Sequence, residues 1–336
     1  MMRIAINGFG RIGRNFLRCL LRDHATREKI EIVAINIGPA ERDFVAHMFK
    51  YDTLMGTYQG AVSVEGDELV IDSYRIKIIA QLDVEKLPWK QLSIDWVVDC
   101  TGRFTHRSDA EKLLRAGAQH VLISAPAKDE DVSIIPGVNE NIFDAQRHTI
   151  VSLGSCTTNA FMTMLKVLDD NFVIQHGFMT TTHAYTNSQV LLDVEDSDLR
   201  RARAAALNII PTSTGAAKMV AKVLPGLADK ISAMAIRVPV AKVSLIELTF
   251  LAEKNISVDL INDAFFTASQ KSMKGILAVT CEPLVSSDFS NNDHSVIIDA
   301  PLTQVNGALA QVFGWYDNEW GYSQRLKDFL MADAAV

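Results

Sequence analysis

Cysteine is sparse in this chain: four residues in 336, with no CxxC spacing. That excludes a disulfide framework and a cysteine-based zinc site, and it fits a reducing compartment. Histidine is thin as well, eight residues with no HExxH or other paired spacing, so no metal ligand set is expected. No apolar run reaches the length of a membrane span, and Met1-Met2-Arg3 leads straight into a strand pattern, so no signal peptide is expected. Positive charge is not in excess. The formal net charge of −7 gives no general attraction to nucleic acid or to an anionic membrane. Internal repeats, low-complexity tracts and Pro/Gly/Ser linkers are missing too. The remainder is the composition of a soluble globular protein, 48% hydrophobic and 22% charged, at a length that supports two cores.

Short apolar strands alternate with helical patterns in the first half. Strands are expected at 3–7, 30–35, 94–99 and 120–123, with helices from a glycine turn to about 24, at 44–50 and at 108–116. Such alternation predicts a parallel, doubly wound α/β sheet. Period-two alternation over 60–77 adds antiparallel strands. After residue 156 the pattern changes. A helix at 156–168 precedes β-rich runs at 173–182, 231–238, 243–252, 295–298 and 308–315, which predicts an α+β domain with a mainly antiparallel sheet. The expected division is a dinucleotide-binding domain at 1–155 and a catalytic domain at 156–319, with a C-terminal helix at about 320–336 packing back on the first.

Gly8-Phe9-Gly10-Arg11-Ile12-Gly13 follows the first strand and opens a helix. The first glycine permits a tight turn, the second lets backbone approach a pyrophosphate, and the third permits close helix–strand packing. This strand–turn–helix context makes the first domain Rossmann-type. An acidic partner for the ribose is expected about 20 residues on. That place reads Asn36-Ile37-Gly38, with Arg42 in the following loop, so cofactor choice tilts toward NADP or dual use.

Cys156 lies in Val151-Ser152-Leu153-Gly154-Ser155-Cys156-Thr157-Thr158-Asn159. Ser155 is a good N-cap, which puts the thiol in the first turn of a helix. The N–H groups and dipole there are expected to lower the thiol pKa toward neutrality and make a nucleophile. Cys19, Cys100 and Cys281, in or beside apolar stretches, read as small core hydrophobes. His183, in Thr180-Thr181-Thr182-His183-Ala184-Tyr185-Thr186, is a candidate base at a strand end. Cations concentrate in Asp198-Leu199-Arg200-Arg201-Ala202-Arg203. Thr212-Ser213-Thr214-Gly215-Ala216-Ala217-Lys218 is a hydroxyl-and-glycine turn entering a helix, and Arg237 sits inside an apolar strand. With a thiolate these suggest phosphate-bearing ligands.

Together these stretches, with Trp315-Tyr316-Asp317-Asn318-Glu319-Trp320-Gly321-Tyr322, resemble the phosphorylating glyceraldehyde-3-phosphate dehydrogenase family, in the family's order and over nearly the whole chain. The resemblance implies a cytoplasmic homotetramer of glycolysis or gluconeogenesis. It would use NAD or NADP, with glyceraldehyde 3-phosphate and inorganic phosphate as partners and neither nucleic acid nor membrane. Cys156 thiolate would attack the aldehyde, and His183 would take the hydroxyl proton as hydride passes to the nicotinamide. Phosphate would then release 1,3-bisphosphoglycerate from the thioester. By position, Thr186 and Arg237 match the substrate-phosphate site, and Ser155, Thr157, Thr214 and Gly215 the inorganic-phosphate site, with Arg201 supporting the anion field. Gly8, Gly10, Arg11, Ile12, Gly13, Asn36, Thr101, Gly102, Ser124, Asn318 and Tyr322 match the cofactor site, Asn318 fixing the nicotinamide amide.

Four departures stand out: Ile37 replaces the acidic residue of NAD-selective members, Val194-Glu195 replaces a Leu-Pro pair, Leu82 replaces an Arg, and Ala160 replaces a second Cys. Glu195, if near the adenosine ribose in a tetramer, would oppose a 2′-phosphate. An erythrose-4-phosphate dehydrogenase is the nearest alternative, disfavoured by His183-Ala184-Tyr185-Thr186. A non-catalytic, redox-responsive binding protein on the same fold is a second, disfavoured by the intact Cys156, His183 and Arg237 set.

Overall fold

The computed structural model describes residues 1–334. β1 (Met2–Asn7) runs through the glycine turn into α1 (Arg11–Arg22), followed by α2 (His24–Lys29), β2 (Ile30–Asn36) and α3 (Arg42–Lys50). The single helix expected as far as 24 is two, because Asp23 leaves the helical region and caps α2, its Oδ1 accepting the Ala25 N–H. Three short strands come next: β3 (Val62–Glu65), β4 (Glu68–Ile71) and β5 (Tyr74–Ile79). The alternating pattern resumes with β6 (Trp96–Asp99), α4 (Arg107–Arg115), β7 (His120–Ile123), β8 (Val132–Ser133) and β9 (Ile150–Ser152).

The first sheet has the order β3-β4-β5-β2-β1-β6-β7-β9-β8. Pairing is parallel from β5 to β8 and antiparallel at the β3-β4-β5 edge. All four residues of β6 are buried, the pattern of a central parallel strand covered on both faces. Ala5, Val97, Val121 and Ile150 meet in its core.

The remaining elements are α5 (Cys156–Phe172), β10 (Ile174–Ala184), β11 (Ile210–Ser213), α6 (Ala216–Val223), β12 (Ile231–Val238), β13 (Ser244–Ala252) and α7 (Val258–Gln270). They end with β14 (Leu277–Thr280), β15 (Val296–Asp299), β16 (Gln304–Asn306), β17 (Leu309–Tyr316) and α8 (Trp320–Asp333). Their sheet has the order β11-β12-β10-β13-β17-β15-β14, with β16 on β17. It is mainly antiparallel, as expected; only β10–β12 and β14–β15 run parallel. α5 packs on this sheet, its Phe161, Leu165 and Leu168 among Ile246, Leu248, Phe250 and Val312. α7 was not foreseen, although Ser257 caps it by accepting the Leu260 N–H.

The chain groups into two units. One is Met1–Ile134, Asn141–Gly154 and the chain from Ser323 on; the other is Ile135–Glu140 with Ser155–Tyr322. Within the first unit, Phe329 of α8 stands edge-on to Trp96, with ring centres 5.5 Å apart, and Trp96 Nε1 donates to Asp333. The last two positions of the helix expected at 320–336 lie outside the described residues. Among the described residues no helix is long and apolar enough to cross a membrane.

Candidate active site

Ser155 has extended backbone and its Oγ accepts the Thr158 N–H at 3.1 Å, so α5 starts where its sequence signals place the start. Cys156 is the first helical residue, half-buried against the core under α5. β10 and β12 run parallel in a register that sets His183 opposite Arg237. Cys156 Sγ lies 3.6 Å from His183 Nε2. On the other side of the ring, Arg237 Nη1 is 2.6 Å from His183 Nδ1 and 2.8 Å from the Ala184 carbonyl oxygen, which is itself 2.6 Å from Nδ1.

Burial first, and the Arg237 charge second, push the His183 pKa down to about 3, so the ring is neutral near pH 7 and has a lone pair to offer. The thiol departs from expectation. Desolvation raises the Cys156 pKa, while the Arg237 charge and the Thr157 hydroxyl and N–H only offset part of that rise. The helix terminus acts as anticipated, but at this half-buried place the loss of water costs the thiolate more than one dipole returns. Arg237 is itself desolvated, which lowers its pKa. The charges of Cys156 and Tyr316 raise it and that of Arg201 lowers it.

Tyr316 was not foreseen as part of this site. Its hydroxyl is 2.9 Å from Thr157 Oγ1 and 2.8 Å from Thr181 Oγ1, and its ring stands edge-on to His183 at 5.9 Å. A tyrosine directly before Asp317-Asn318 was the available signal. Burial pushes its hydroxyl pKa up, so it stays a neutral donor and acceptor.

The structure therefore brings Cys156, Thr157, His183 and Arg237 into one contact set, with the Arg201 charge felt at Arg237. Arg201 Nε donates to Thr212 Oγ1 at 2.8 Å and lies 3.7 Å from Asp198. Other anion candidates are held by local bonds: Thr186 Oγ1 with Ser188 Oγ at 2.9 Å, and Thr214 Oγ1 accepting the Ala216 N–H at 3.3 Å. Gly215 is the N-cap of α6 and supplies no side-chain cap. Asn318 Oδ1 faces Ser244 Oγ at 3.5 Å, and Ser244 Oγ accepts the Ala184 N–H at 3.1 Å. Asp317 anchors this turn, pairing with Lys242 at 3.0 Å and accepting the Glu319 and Trp320 N–H groups. Tyr322 is buried in α8.

In the first unit a cavity of about 430 Å³ opens at the C-terminal ends of β1, β2 and β6, lined by Asn7, Gly8, Gly10, Asn36, Ile37 and Thr101 among others. That is the size and place of a nucleotide crevice in a doubly wound sheet. Gly8 has φ +93° and a side chain there would meet Thr101 at 2.8 Å. Gly10 faces open space, leaving backbone free for a pyrophosphate, and a Cβ on Gly13 would fall 2.3 Å from the Gly8 carbonyl oxygen. Arg11 and Ile12 form the first turn of α1, which has no acidic residue, and Arg11 pairs with Asp52. The cradle thus fits a dinucleotide.

Ile37 is buried at the cavity wall, and Leu82, 69% exposed, also lines it. Gly102 takes positive φ beside Thr101, and the Ser124 N–H donates to the Asp99 carbonyl. Arg42, expected near a 2′-phosphate, is the first residue of α3 and does not line the cavity; Arg103 and Lys112 do, with Lys112 paired to Asp109. Cys100, read as core, lines the cavity as well. Among the described residues no group of three or more His, Cys, Asp or Glu is placed to hold a metal.

Residues 2–107 match the sequence profile of the glyceraldehyde 3-phosphate dehydrogenase NAD binding domain, and residues 155–318 that of the glyceraldehyde 3-phosphate dehydrogenase C-terminal domain. The chain is 48% identical to glyceraldehyde-3-phosphate dehydrogenase 1 of Bacillus cereus over 98% of its own length and 97% of that protein's. It is 48% identical to glyceraldehyde-3-phosphate dehydrogenase of Geobacillus stearothermophilus, over 97% and 96% of the two chains. Against glyceraldehyde-3-phosphate dehydrogenase 2 of Bacillus subtilis the identity is 44%, over 99% and 97%. A thiol and a guanidinium on opposite sides of one imidazole, a dinucleotide cradle and full-length similarity converge: the chain belongs to the glyceraldehyde-3-phosphate dehydrogenase family.

Proposed function

We propose that this chain oxidises and phosphorylates glyceraldehyde 3-phosphate to 1,3-bisphosphoglycerate through a thioester on Cys156. The observation that carries the reading is Cys156 Sγ at 3.6 Å from a neutral His183 Nε2, with Arg237 on the far side of the ring. The protonated thiol needs a base, and Nε2 is the group in reach. As sulfur attacks the aldehyde carbon, His183 takes the thiol proton and returns it to the carbonyl oxygen, giving a hemithioacetal. It then takes that hydroxyl proton as the C–H electron pair leaves as hydride, and the carbon becomes a thioester. NAD or NADP, when bound, supplies the hydride acceptor. A phosphate oxygen then attacks the thioester carbon, the C–S bond breaks, and sulfur leaves as thiolate to recover the proton.

Arg237 and Thr186 are assigned to the substrate phosphate, and Ser155, Thr157, Thr214 and Gly215 to inorganic phosphate, with Arg201 adding positive field. Residues 1–155 would serve the nucleotide and 156–319 the chemistry, in a cytoplasmic homotetramer. Buried, apolar Ile37 presents no carboxylate against a 2′-phosphate, and Arg103 lies on the same cavity, while Lys112 there is paired with Asp109, so NADP use or dual use is favoured. The test is absorbance at 340 nm with aldehyde, phosphate and each nucleotide, together with mass spectrometry of the enzyme without phosphate. A phosphate-dependent signal and an acyl adduct on Cys156 are expected; turnover without any adduct would overturn the mechanism.

A further inference from the structure

Three buried polar side chains lie side by side across β6, β1 and β2. In the sheet register Asn7 pairs with Asp99 on one side and with Asn36 on the other. Each is at most 3% exposed. Their hydrogen bonds run in one direction: Asn36 Nδ2 donates to Asn7 Oδ1 at 2.8 Å, and Asn7 Nδ2 donates to Asp99 Oδ1 at 2.8 Å. Asp99 also accepts from Thr101 Oγ1 at 3.0 Å, and Thr101 Oγ1 accepts the Arg103 N–H at 3.1 Å. At the other end, Asn36 Oδ1 accepts the Gly38 N–H at 3.2 Å and the Gln81 N–H at 3.1 Å.

Every polar atom of the Asn36 amide is therefore engaged or aimed inside the protein, and the relay ends on the backbone of both walls of the nucleotide cavity, at Gly38 and Gln81 on one side and Thr101 to Arg103 on the other. An amide can face either way; the Asp99 carboxyl accepts from both Asn7 Nδ2 and Thr101 Oγ1, and once ionised it can only accept. Asp99 is thus the group that sets which way Asn7 and then Asn36 point. If Asn36 turned over, its NH2 would face two backbone N–H donors.

We propose that Asp99, Asn7 and Asn36 form a directional relay that positions both walls of the nucleotide cavity, Asn36 acting through the Gly38 and Gln81 backbone and not as a direct cofactor contact. The proposal deepens the reading of this cavity as the NAD(P) site and rests on it.

Reversing the polarity of the relay tests it. Asn36→Asp keeps the acceptors for Gly38 and Gln81 but has no donor for Asn7. If Asn7 turns to donate to the new carboxylate, its Oδ1 is left against Asp99. Adding Asp99→Asn restores a donor at that end, with both side-chain bonds of the relay reversed and the net charge conserved. Steady-state kinetics and NAD-dependent quenching of protein fluorescence would be read on the full-length enzyme at a pH well above 7, where Asp99 is ionised and cannot donate to Asn7. For Asn36→Asp the KM and dissociation constant for NAD should rise roughly tenfold to a hundredfold, the equivalent of one buried unsatisfied pair, with turnover at saturating NAD and the aldehyde KM far less affected. The double variant should return the NAD constants to within about threefold of the parent.

The relay is overturned if the single variant binds NAD as the parent does, or if the double variant is no better than the single. If Asn36→Asp does not fold, Asn7→Leu cuts the relay at its centre without adding charge, and unchanged NAD constants in that variant equally overturn it. An unmodified enzyme that fails to bind either nucleotide would instead remove the reading of the cavity itself.

Discussion

Arg237 Nη1 and His183 Nδ1 are 2.6 Å apart, yet the Ala184 carbonyl oxygen competes for both. Nδ1 can either receive a hydrogen from Arg237 or donate its own to Ala184, and the choice decides what Nε2 shows the sulfur. With the hydrogen on Nδ1, Nε2 is a lone pair facing a thiol. With Arg237 donating, Nε2–H faces the sulfur and favours a thiolate. One guanidinium thus controls both the tautomer and the field at the reacting pair.

Arg237→Leu should move both titrations in the same direction, with opposite consequences for base and nucleophile. Burial and the Arg237 charge together bring the His183 pKa down to about 3, and the same charge lowers that of Cys156, so its removal should raise both groups' pKa values. The base gains basicity while the nucleophile loses acidity. NMR titration of the His183 ring and the pH dependence of iodoacetamide alkylation of Cys156 read the two. A lower histidine pKa, or alkylation shifted to lower pH, would contradict the field described.

Cys156→Ser should abolish turnover while leaving nucleotide binding, because a serine hydroxyl at that place keeps its proton. His183→Asn should slow acylation by roughly 10²- to 10⁴-fold, the range for lost general-base help. Rapid-quench measurement of acyl-enzyme formation separates this step from release; a normal acylation rate in the His183 variant would assign the base elsewhere.

Ile37→Asp places a carboxylate on the cavity wall where the ribose is expected. The ratio of kcat/KM for NADP to that for NAD should fall by roughly tenfold or more, about 1.4 kcal/mol of discrimination. An unchanged ratio would show that Arg103, Lys112 and the other walls decide selectivity.

Burial raises the Asp99 pKa to about 7, against 3.8 for the free side chain. The folded chain then holds this proton more tightly than the unfolded chain does. Its contribution to stability is fully present below about pH 4 and is lost as pH rises through 7. Asp99→Asn removes that loss. The difference in thermal midpoint between variant and parent should therefore shift in the variant's favour between pH 5 and pH 8, by the equivalent of a few kcal/mol at most. A difference that is flat with pH would place the carboxyl in a better-solvated environment.

How far these features could be read from the residues alone differs by type of signal. Ser155-Cys156 and the three glycines were legible because helix caps and phosphate turns are local, and they appear where the chain announces them. Desolvation is not local. Nothing in Ser155-Cys156-Thr157 says how much water the fold takes from the thiol, so the direction of its shift was misjudged. The Asn36–Asn7–Asp99 relay exists only through register between strands about 29 and 92 residues apart, which no spacing rule encodes. α7 is a different failure, since Ser257 carried a usable cap signal that the β-rich surroundings obscured.

The nucleophile and the central helix of the second unit share one covalent element. α5 starts at the sulfur, and most of its length is buried among Phe161, Leu165, Leu168 and the sheet behind them. A shift of the helix in its core is therefore a shift of the sulfur. A substitution that retunes this interior for heat or cold also shifts the sulfur relative to its imidazole. Loops and exposed surfaces can be retuned without that penalty, because they do not carry the sulfur.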